Sequence, residues 1–502
     1  MKILSAEQIR EWDRATIAAQ GTGSLALMEG AAMACTEWLS AHYSMDTPFV
    51  IVCGTGNNGG DGLAIARQLT ERGYSALAFL LMHTDVLSPD CRANLEALEK
   101  LNGSPVQRLA EGDFITALPG RVVIVDALFG TGINRKLEGY MASFIAQLNA
   151  LPNEKISIDL PSGMPADGPL PDAAVIFQVQ HTLTFQQYKR AMLHPESGMF
   201  CGDVHVLDIG LLPAFSASAA TQWYTLDKHF VKARYRPRQP FSHKGTYGTA
   251  LLIGGSYGLM GAILLATTAA GRAGAGKVRA LIPECGYPVL QTAVPEAMCS
   301  TSGVRFLEKL DDWESVTGIG IGPGLGTEPT TATAFGKFLK AVDKPVVLDA
   351  DALNLLAGNP DFLRLIPRQS ILTPHPKEFG RIFGPTPDSF ARAELVRQKA
   401  MEYQIIIVAK DRYTIIALPD GRCYYNTAGN AGLATGGSGD VLCGMITGLL
   451  AQGYTPEDAA LLGVFLHATA ADSAVKQTGL EALVAGDILN YIGAAYLSLL
   501  AE

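Results

Sequence analysis

Five uninterrupted apolar runs leave the N-terminal part of this chain few folds to choose from: FVIVC (49–53), ALAFLLM (76–82), RVVIVDAL (121–128), EKISIDL (154–160) and HTLTF (181–185). Runs of this length without polar alternation are strands buried on both faces, and such strands belong to parallel sheets covered by helices. Helical patterns separate most of them. Two more precede the first: SAEQIREWDRATIAAQ, which Ser5 is placed to cap, and LALMEGAAMACTEWLSAHY, with apolar spacings of three and four. The pattern predicts an α/β domain with a doubly wound sheet.

A second series begins further on. TALLIGGS, KVRALIP, GIGIGPGLG, PVVLDADAL, SILTPHP and IIIVAK read as strands closed by Gly, Asp or Pro turns, and TIIALPDGRCYY as a hairpin around Asp420-Gly421. Between them, from about 209 to 240, the pattern lapses into IGLLPAFSASAATQ and VKARYRPRQP, which predicts a domain boundary. At 502 residues the chain exceeds what one hydrophobic core fills. Two domains are expected, 1–215 and 225–502, with no internal repeat relating them.

Composition narrows the function. An apolar share of 48%, 53 glycines and only 17% charged residues describe a compact α/β enzyme. A net charge of -9 without a Lys/Arg cluster argues against a nucleic-acid partner. No apolar stretch is long enough to span a bilayer, and the charged N-terminus is unlike a signal or transit peptide. Eight scattered cysteines without CxxC suit reduced thiols and argue against zinc, so a soluble, cytoplasmic protein is expected.

The first strand runs into GTGNNGGDG (54–62). Gly54, Gly56 and Gly59 spell GxGxxG, the spacing of a loop that approaches a pyrophosphate at a helix N-terminus. Asn57, Asn58, Gly60 and Asp61 are additional. Two later strand ends carry Asp126, before LFGTG, and Asp159, before LPSG with Ser162. Ligands in open α/β sheets bind beyond the carboxyl ends of strands, so these groups are expected to converge. Two carboxylates, an amide oxygen and a hydroxyl suit a hard cation and acid/base work. Capping or turn chemistry explains any single Asp as readily. Hydride transfer is disfavoured, because the second strand runs into Leu81, Met82 and His83 and the ribose-binding acid is missing or displaced to Asp85.

GNNGGDG, Asp126 with FGTG, and DLPSG together resemble the epimerase domain of the NAD(P)H-hydrate repair enzymes. The resemblance implies interconversion of R and S hydrates of NADH and NADPH, with K⁺ held by Asn58, Asp126 and Ser162. It places Asn57, Asn58, Gly59, Gly60 and Asp61, the run Gly130, Thr131, Gly132, Ile133, Asn134, Arg135 and Lys136, and Asp159 against the substrate. The hydroxyl sits on a carbon next to the ring nitrogen, so inversion can proceed by acid-assisted loss of hydroxide to an iminium and return of water. Asp159 is the candidate catalytic group, with Tyr140 flanking the ring.

GNAGLATGGSGDVLCGMITGLL places glycines where a helix begins, so free N–H groups face an anion. KDRYT (410–414), DADALN (349–354) and TPHPKEF (373–379) follow buried strands. The assembly resembles the ribokinase-like superfamily and, within it, the nucleotide-dependent NAD(P)H-hydrate dehydratases, through HKGTYG, GSYGLMGA, GPGLGT, DADALN, TPHP and AGNAGLATGGSGD. The resemblance implies that ADP, with Mg²⁺, phosphorylates the hydroxyl of the S hydrate and makes it a leaving group. Asp440 is implied as the catalytic base. Lys410, Asp411, Arg412, Tyr413, Thr414, Asn430, Ala434, Gly436, Gly437, Ser438 and Gly439 are implied to contact ADP. Gly261, Gly324, His375, Pro376, Lys377, Glu378, Phe379, Gly380, Arg381 and Asp440 are implied to line the substrate pocket. Lys377 and Asp411 stand where the family commonly has Gly.

His467 on an apolar helix is expected to be a hydrogen-bonded core residue. The alternative function is a vitamin or sugar kinase with a non-catalytic N-terminal binding domain. Oligomeric state, NADH against NADPH preference and the second acid/base group of the epimerase are not legible, and a homo-oligomer is left open.

Overall fold

This computed structural model describes residues 1–82, 84, 86–101, 106–133 and 135–501. His83, Asp85 and Asn134 lie outside the described residues. The chain forms two compact units, one of Lys2–Thr221 with Asp388–Phe390, the other of Met1, Gln222–Pro387 and Ala391–Glu502.

The N-terminal unit holds a seven-stranded sheet in the order Val106–Leu109, Ala76–Leu81, Phe49–Cys53, Val123–Ala127, Lys155–Ile158, His181–Phe185, Asp203–Leu207. All its pairings are parallel. Winding reverses at Phe49–Cys53, which pairs with Ala76–Leu81 on one side and Val123–Ala127 on the other. Side chains of a strand alternate between faces. Phe49, Ile51 and Cys53 accordingly join one core cluster and Val50 and Val52 another, so both faces are buried.

Ahead of the sheet, helix Ala6–Gln20 carries a capping box between Ser5 and Gln8. Helix Asn57–Glu71 starts four residues after the first strand. That abrupt turn needs glycine: a Cβ on Gly59 would lie 1.8 Å from the Gly54 carbonyl oxygen.

The C-terminal unit contains a ten-stranded sheet in the order Met298–Thr301, Lys277–Ile282, Thr249–Ile253, Gly318–Ile321, Val347–Leu348, Ile371–Leu372, Ile406–Ala409, Thr414–Ala417, Cys423–Asn426, Trp223–Leu226. The antiparallel pairings are the two made by Thr414–Ala417, and the expected hairpin is one of them. Helix Ser438–Ala451 is buried from Val441 onward. It packs on helix Met260–Arg272, where Cβ atoms on Gly444 and Gly448 would lie 2.1 and 2.5 Å from the carbonyl oxygens of Ala266 and Ala270.

The strands that the apolar runs do not reveal are the four outermost ones: Val106–Leu109, Asp203–Leu207, Met298–Thr301 and Trp223–Leu226. An edge strand exposes one side and carries polar residues, so it shows no continuous apolar run. Trp223–Leu226 lies within the stretch 209–240 that reads as a domain boundary, and it pairs in parallel with Cys423–Asn426.

Candidate active sites

A cleft of ≈ 760 Å³ opens where the winding of the seven-stranded sheet reverses. Asn57, Asn58, Asp61, Gly130, Thr131, Gly132, Ile133, Arg135 and Asp159 all line it. Others are placed differently. Gly59 serves the turn, and a Cβ on Gly60 would press 2.8 Å from the Met28 sulfur. Lys136 donates to the Asp172 carbonyl 2.9 Å away. The Tyr140 hydroxyl donates to the Asp113 carbonyl at 2.5 Å, and its ring packs against the core, while Met141 takes the place in the cleft lining expected for it.

The carboxylates that sequence groups together divide into two sets. Asp126 is fully buried and accepts from Ser162 Oγ at 2.6 Å, Ser162 N at 2.8 Å, Ser157 Oγ at 3.0 Å and Leu128 N at 3.2 Å. Burial raises its pKa to about 6, against the pull of those hydrogen bonds. Asn58 is buried beside Gly130, and its Nδ2 has no partner. An amide turned over at this position would present oxygen instead of the orphaned nitrogen. Asn58, Asp126 and Ser162 carry oxygens of the kind a hard monovalent cation takes, and both Asp126 oxygens here are engaged by the Ser157, Ser162 and Leu128 donors.

Asp159 belongs to the other set. It holds φ 64°, a conformation Asp tolerates better than most residues, and Oδ1 accepts from Lys189 Nζ and from Phe185 N at 3.2 Å. Lys189 is 1% exposed, and its ammonium also donates to Thr184 Oγ1 at 2.9 Å and the Phe185 carbonyl at 3.0 Å, so all three protons have acceptors. Asp61 is pushed well up by burial, then by Asp159, Asp13 and Asp90. Asp13 is raised to about 6 by burial and by Asp159, with Lys189 pulling it down.

In the C-terminal unit a second cleft, ≈ 480 Å³, is lined by Lys410, Asp411, Arg412, Tyr413, Thr414, Asn430, Ala434, Ser438 and Gly439, with His375 and Pro376 beside them. Gly437, at φ 89°, is the N-cap of helix Ser438–Ala451. Gly437 and Gly439 bring no side chain of their own to this first turn, where N–H groups lack the intrahelical partners of later turns. Gly436 precedes that cap and is exposed.

Asp440 occupies the first turn of the same helix. Its pKa rises to about 7 through burial and the negative charge of Asp349, while Lys410 pulls it down. Lys410 Nζ donates to Asp349 Oδ1 at 2.9 Å, and a Cβ on Gly439 would be 3.1 Å from that nitrogen. Burial lowers the Lys410 pKa, but Asp349 and Glu378 more than offset it and hold the ammonium above its ordinary value.

Apart from His375 and Pro376, the expected substrate contacts, Asp440 included, are not among the residues lining this cleft. His375 caps helix Pro376–Phe383 in a capping box with Glu378, whose Oε2 accepts from His375 N at 2.9 Å. Phe379 is core, its ring tilted against that of Phe383 with centroids 5.1 Å apart, and Lys377 is exposed. Gly380 is half-buried, and Arg381 donates to Asn354 Oδ1 at 2.6 Å. Gly261 is exposed, while Gly324, at φ 60°, lies against the Leu259 carbonyl. Asp411 forms an ion pair with Arg392. His467 is buried, yet it lines this cleft, and its Nε2 has no partner.

Two family models match the chain. One described as YjeF-related protein N-terminus covers residues 24–191, and one described as NAD(P)H-hydrate dehydratase covers 250–494. The bifunctional NAD(P)H-hydrate repair enzyme Nnr of Moorella thermoacetica is 36% identical over 98% of this chain and 96% of its own length. The chain belongs to this family. The repair enzyme of the same name from Thermofilum pendens is 32% identical over 99% of this chain and 97% of its own. A solved ADP/ATP-dependent NAD(P)H-hydrate dehydratase from Bacillus subtilis, co-crystallized with ATP/Mg²⁺, is 33% identical and covers 56% of this chain and 100% of its own, with a TM-score of 0.49.

The geometry brings into these sites residues that sequence reasoning did not single out. Lys189 and Asp13 share the first cleft with Asp159 but stand outside the glycine loops and strand ends that drew attention. Asp349 was visible only as part of DADALN. A strand-end rule could have found Asp349; nothing in the local pattern singles out Asp13 on a capped amphipathic helix.

Proposed function

We propose that this bifunctional NAD(P)H-hydrate repair enzyme runs two successive reactions in separate clefts: the N-terminal cleft epimerises R and S hydrates, and the C-terminal cleft dehydrates the S form with ADP as phosphoryl donor. The observation that carries the reading is that each unit of a chain aligned end to end with repair enzymes presents its own cleft, the first lined by carboxylates and glycine-loop groups and the second by the glycine loop and Lys410–Thr414. Hydration yields both epimers, so a dehydratase selective for one of them requires an epimerase. The sugar or vitamin kinase reading is not favoured, because the relatives match both halves.

In the first cleft, Asn57, Asn58, Asp61 and the segment Gly130–Ile133 with Arg135 bind the hydrated dinucleotide, and Asp159 carries acid/base work. Asn58, Asp126 and Ser162 would hold K⁺, which supplies a fixed positive charge near the substrate when bound. In the second, Lys410–Thr414, Asn430, Ala434 and Ser438–Gly439 bind ADP, with Gly436 and Gly437 setting the loop. Asp440 removes the proton from the substrate hydroxyl, and the N–H groups at the start of its helix accommodate the transferring phosphoryl. Asp349 and Asp440 offer oxygen donors suited to a Mg²⁺ shared with nucleotide phosphates.

No helix among the described residues is long and apolar enough to cross a membrane, and the eight cysteines are free thiols, which supports a cytoplasmic site. The test supplies full-length protein with mixed R and S NADH hydrates, K⁺, Mg²⁺ and either ADP or ATP, following recovery of reduced-nicotinamide absorbance. Complete recovery with ADP is expected. Recovery that stops when the S form is spent would remove the epimerase assignment.

A further inference from the structure

Epimerisation by loss and return of water is served well by two proton-handling groups, because the hydroxyl leaves one face of the ring and water returns to the other. Asp159 is salt-bridged to Lys189 through Oδ1. A second carboxyl in the same cleft would share the proton transfers with it. We propose that Asp13 is that group: a catalytic carboxyl carried by the first helix, working with Asp159 on the hydrated nicotinamide. This deepens the epimerase reading and rests on it.

Three observations support the assignment. Asp13 lines the ≈ 760 Å³ cleft together with Asp159 and Lys189, and an adjoining ≈ 520 Å³ hollow together with Asp61. The helix is pinned on both sides of it: Trp12 Nε1 donates to the Leu212 carbonyl at 2.8 Å, and Thr16 Oγ1 accepts from Leu212 N at 2.9 Å. Among the described residues no hydrogen bond or ion pair engages the Asp13 carboxyl, although its neighbours on the helix, Trp12 and Thr16, are buried and bonded. A half-buried carboxyl on a rigid element, with its oxygens free and turned to a cleft, is placed for a ligand.

Charge surroundings agree with a proton-holding role. Besides Asp13, the acidic groups lining the cleft and the hollow are Asp61, Asp90 and Asp159, and the basic ones Arg10, Arg14, Arg135 and Lys189. Burial and then Asp159 raise Asp13 to about 6, with Lys189 opposing. Near neutrality a fraction of Asp13 therefore retains its proton where an exposed Asp would not.

The step balances. In one direction the C–O bond breaks with its electron pair on oxygen, which takes the Asp13 proton and departs as water, while the ring-nitrogen lone pair forms C=N⁺. Water adds to the other face and the nitrogen recovers its pair. The proton shed by that water goes to Asp159, and exchange with solvent resets both carboxyls. The reverse reaction exchanges the two roles. Asp13 lies before the segment 24–191 matched by the N-terminal family model.

The experiment uses full-length protein without nucleotide, purified R NADH hydrate and chromatographic measurement of S hydrate, corrected for the rate without enzyme. Asp13→Asn is expected to lower kcat by about 100-fold or more with KM within a factor of about three, the scale of lost general acid catalysis. Asp13→Glu, which restores a carboxyl, is expected to recover at least about tenfold over Asp13→Asn. The kcat–pH profile should lose the limb near pH 6 in Asp13→Asn. Wild-type kcat in Asp13→Asn, or equal losses in Asn and Glu variants, would overturn the proposal while leaving the epimerase reading intact. Absence of epimerisation in the wild-type protein would instead overturn that reading and this proposal with it.

Discussion

Lys189→Met removes the ammonium that three groups share while keeping an unbranched side chain of similar volume, so the cavity contribution is small. Lys189 is 1% exposed and the Asp159 side chain 13%, so the carboxylate left behind has little water to replace its partner. Removing one partner of a buried ion pair costs about 3–5 kcal/mol. Thr184 Oγ1 and the Phe185 carbonyl lose donors as well. We expect a loss of about 3–5 kcal/mol in the N-terminal unit. The assay is hydrogen exchange of full-length protein in increasing urea, read by mass spectrometry on peptides spanning Lys155–Ile158 and His181–Phe185, since both units contain tryptophan. Asp159→Asn with Lys189→Met closes a double-mutant cycle. The double variant should be destabilised by at least about 1.5 kcal/mol less than the sum of the singles. A single-variant loss below about 1 kcal/mol, or additivity, would refute the pairing argument, because an exposed pair contributes no more than that.

Asp440, raised from the ordinary 3.8 to about 7, retains its proton in the folded protein at pH values where the unfolded chain has lost it. Dehydratase kcat should therefore rise with pH through about 7 and Asp440→Asn abolish that limb, while folded stability declines as pH rises from about 4 to about 7, which urea titrations at several pH values would check. Gly59→Ala puts a methyl against the Gly54 carbonyl, and the N-terminal unit should lose at least about 1–3 kcal/mol, seen as an earlier urea transition with normal dehydratase activity. Ser162→Ala removes the 2.6 Å hydrogen bond to Asp126, with an expected cost of about 1.5–3 kcal/mol and a higher K⁺ requirement for epimerisation, measured by urea unfolding and K⁺ titration.

The sequence by itself determined the interior of both sheets. Strands buried on two faces are largely apolar, and FVIVC and IIIVAK show that without any partner in view. It also determined the glycine turns, because a strand that becomes a helix within four residues tolerates no Cβ at Gly59. Likewise the capping signals at Ser5 and the turn at Asp420-Gly421 act over a few residues and are written locally.

Only the tertiary structure decided which polar groups work together. Asp126 and Asp159 carry the same strand-end signature, yet one is enclosed by Ser157 and Ser162 and the other is turned to Lys189 and Phe185. Tyr140 turned to the Asp113 carbonyl, and the edge strands took their order from neighbours distant in sequence. Asp13 reaches the cleft because Trp12 and Thr16 bind Leu212, some two hundred residues away. Periodicity and turn chemistry are properties of neighbouring residues. Side-chain partnership across the fold depends on packing that brings distant segments within hydrogen-bond reach, and no local pattern specifies it.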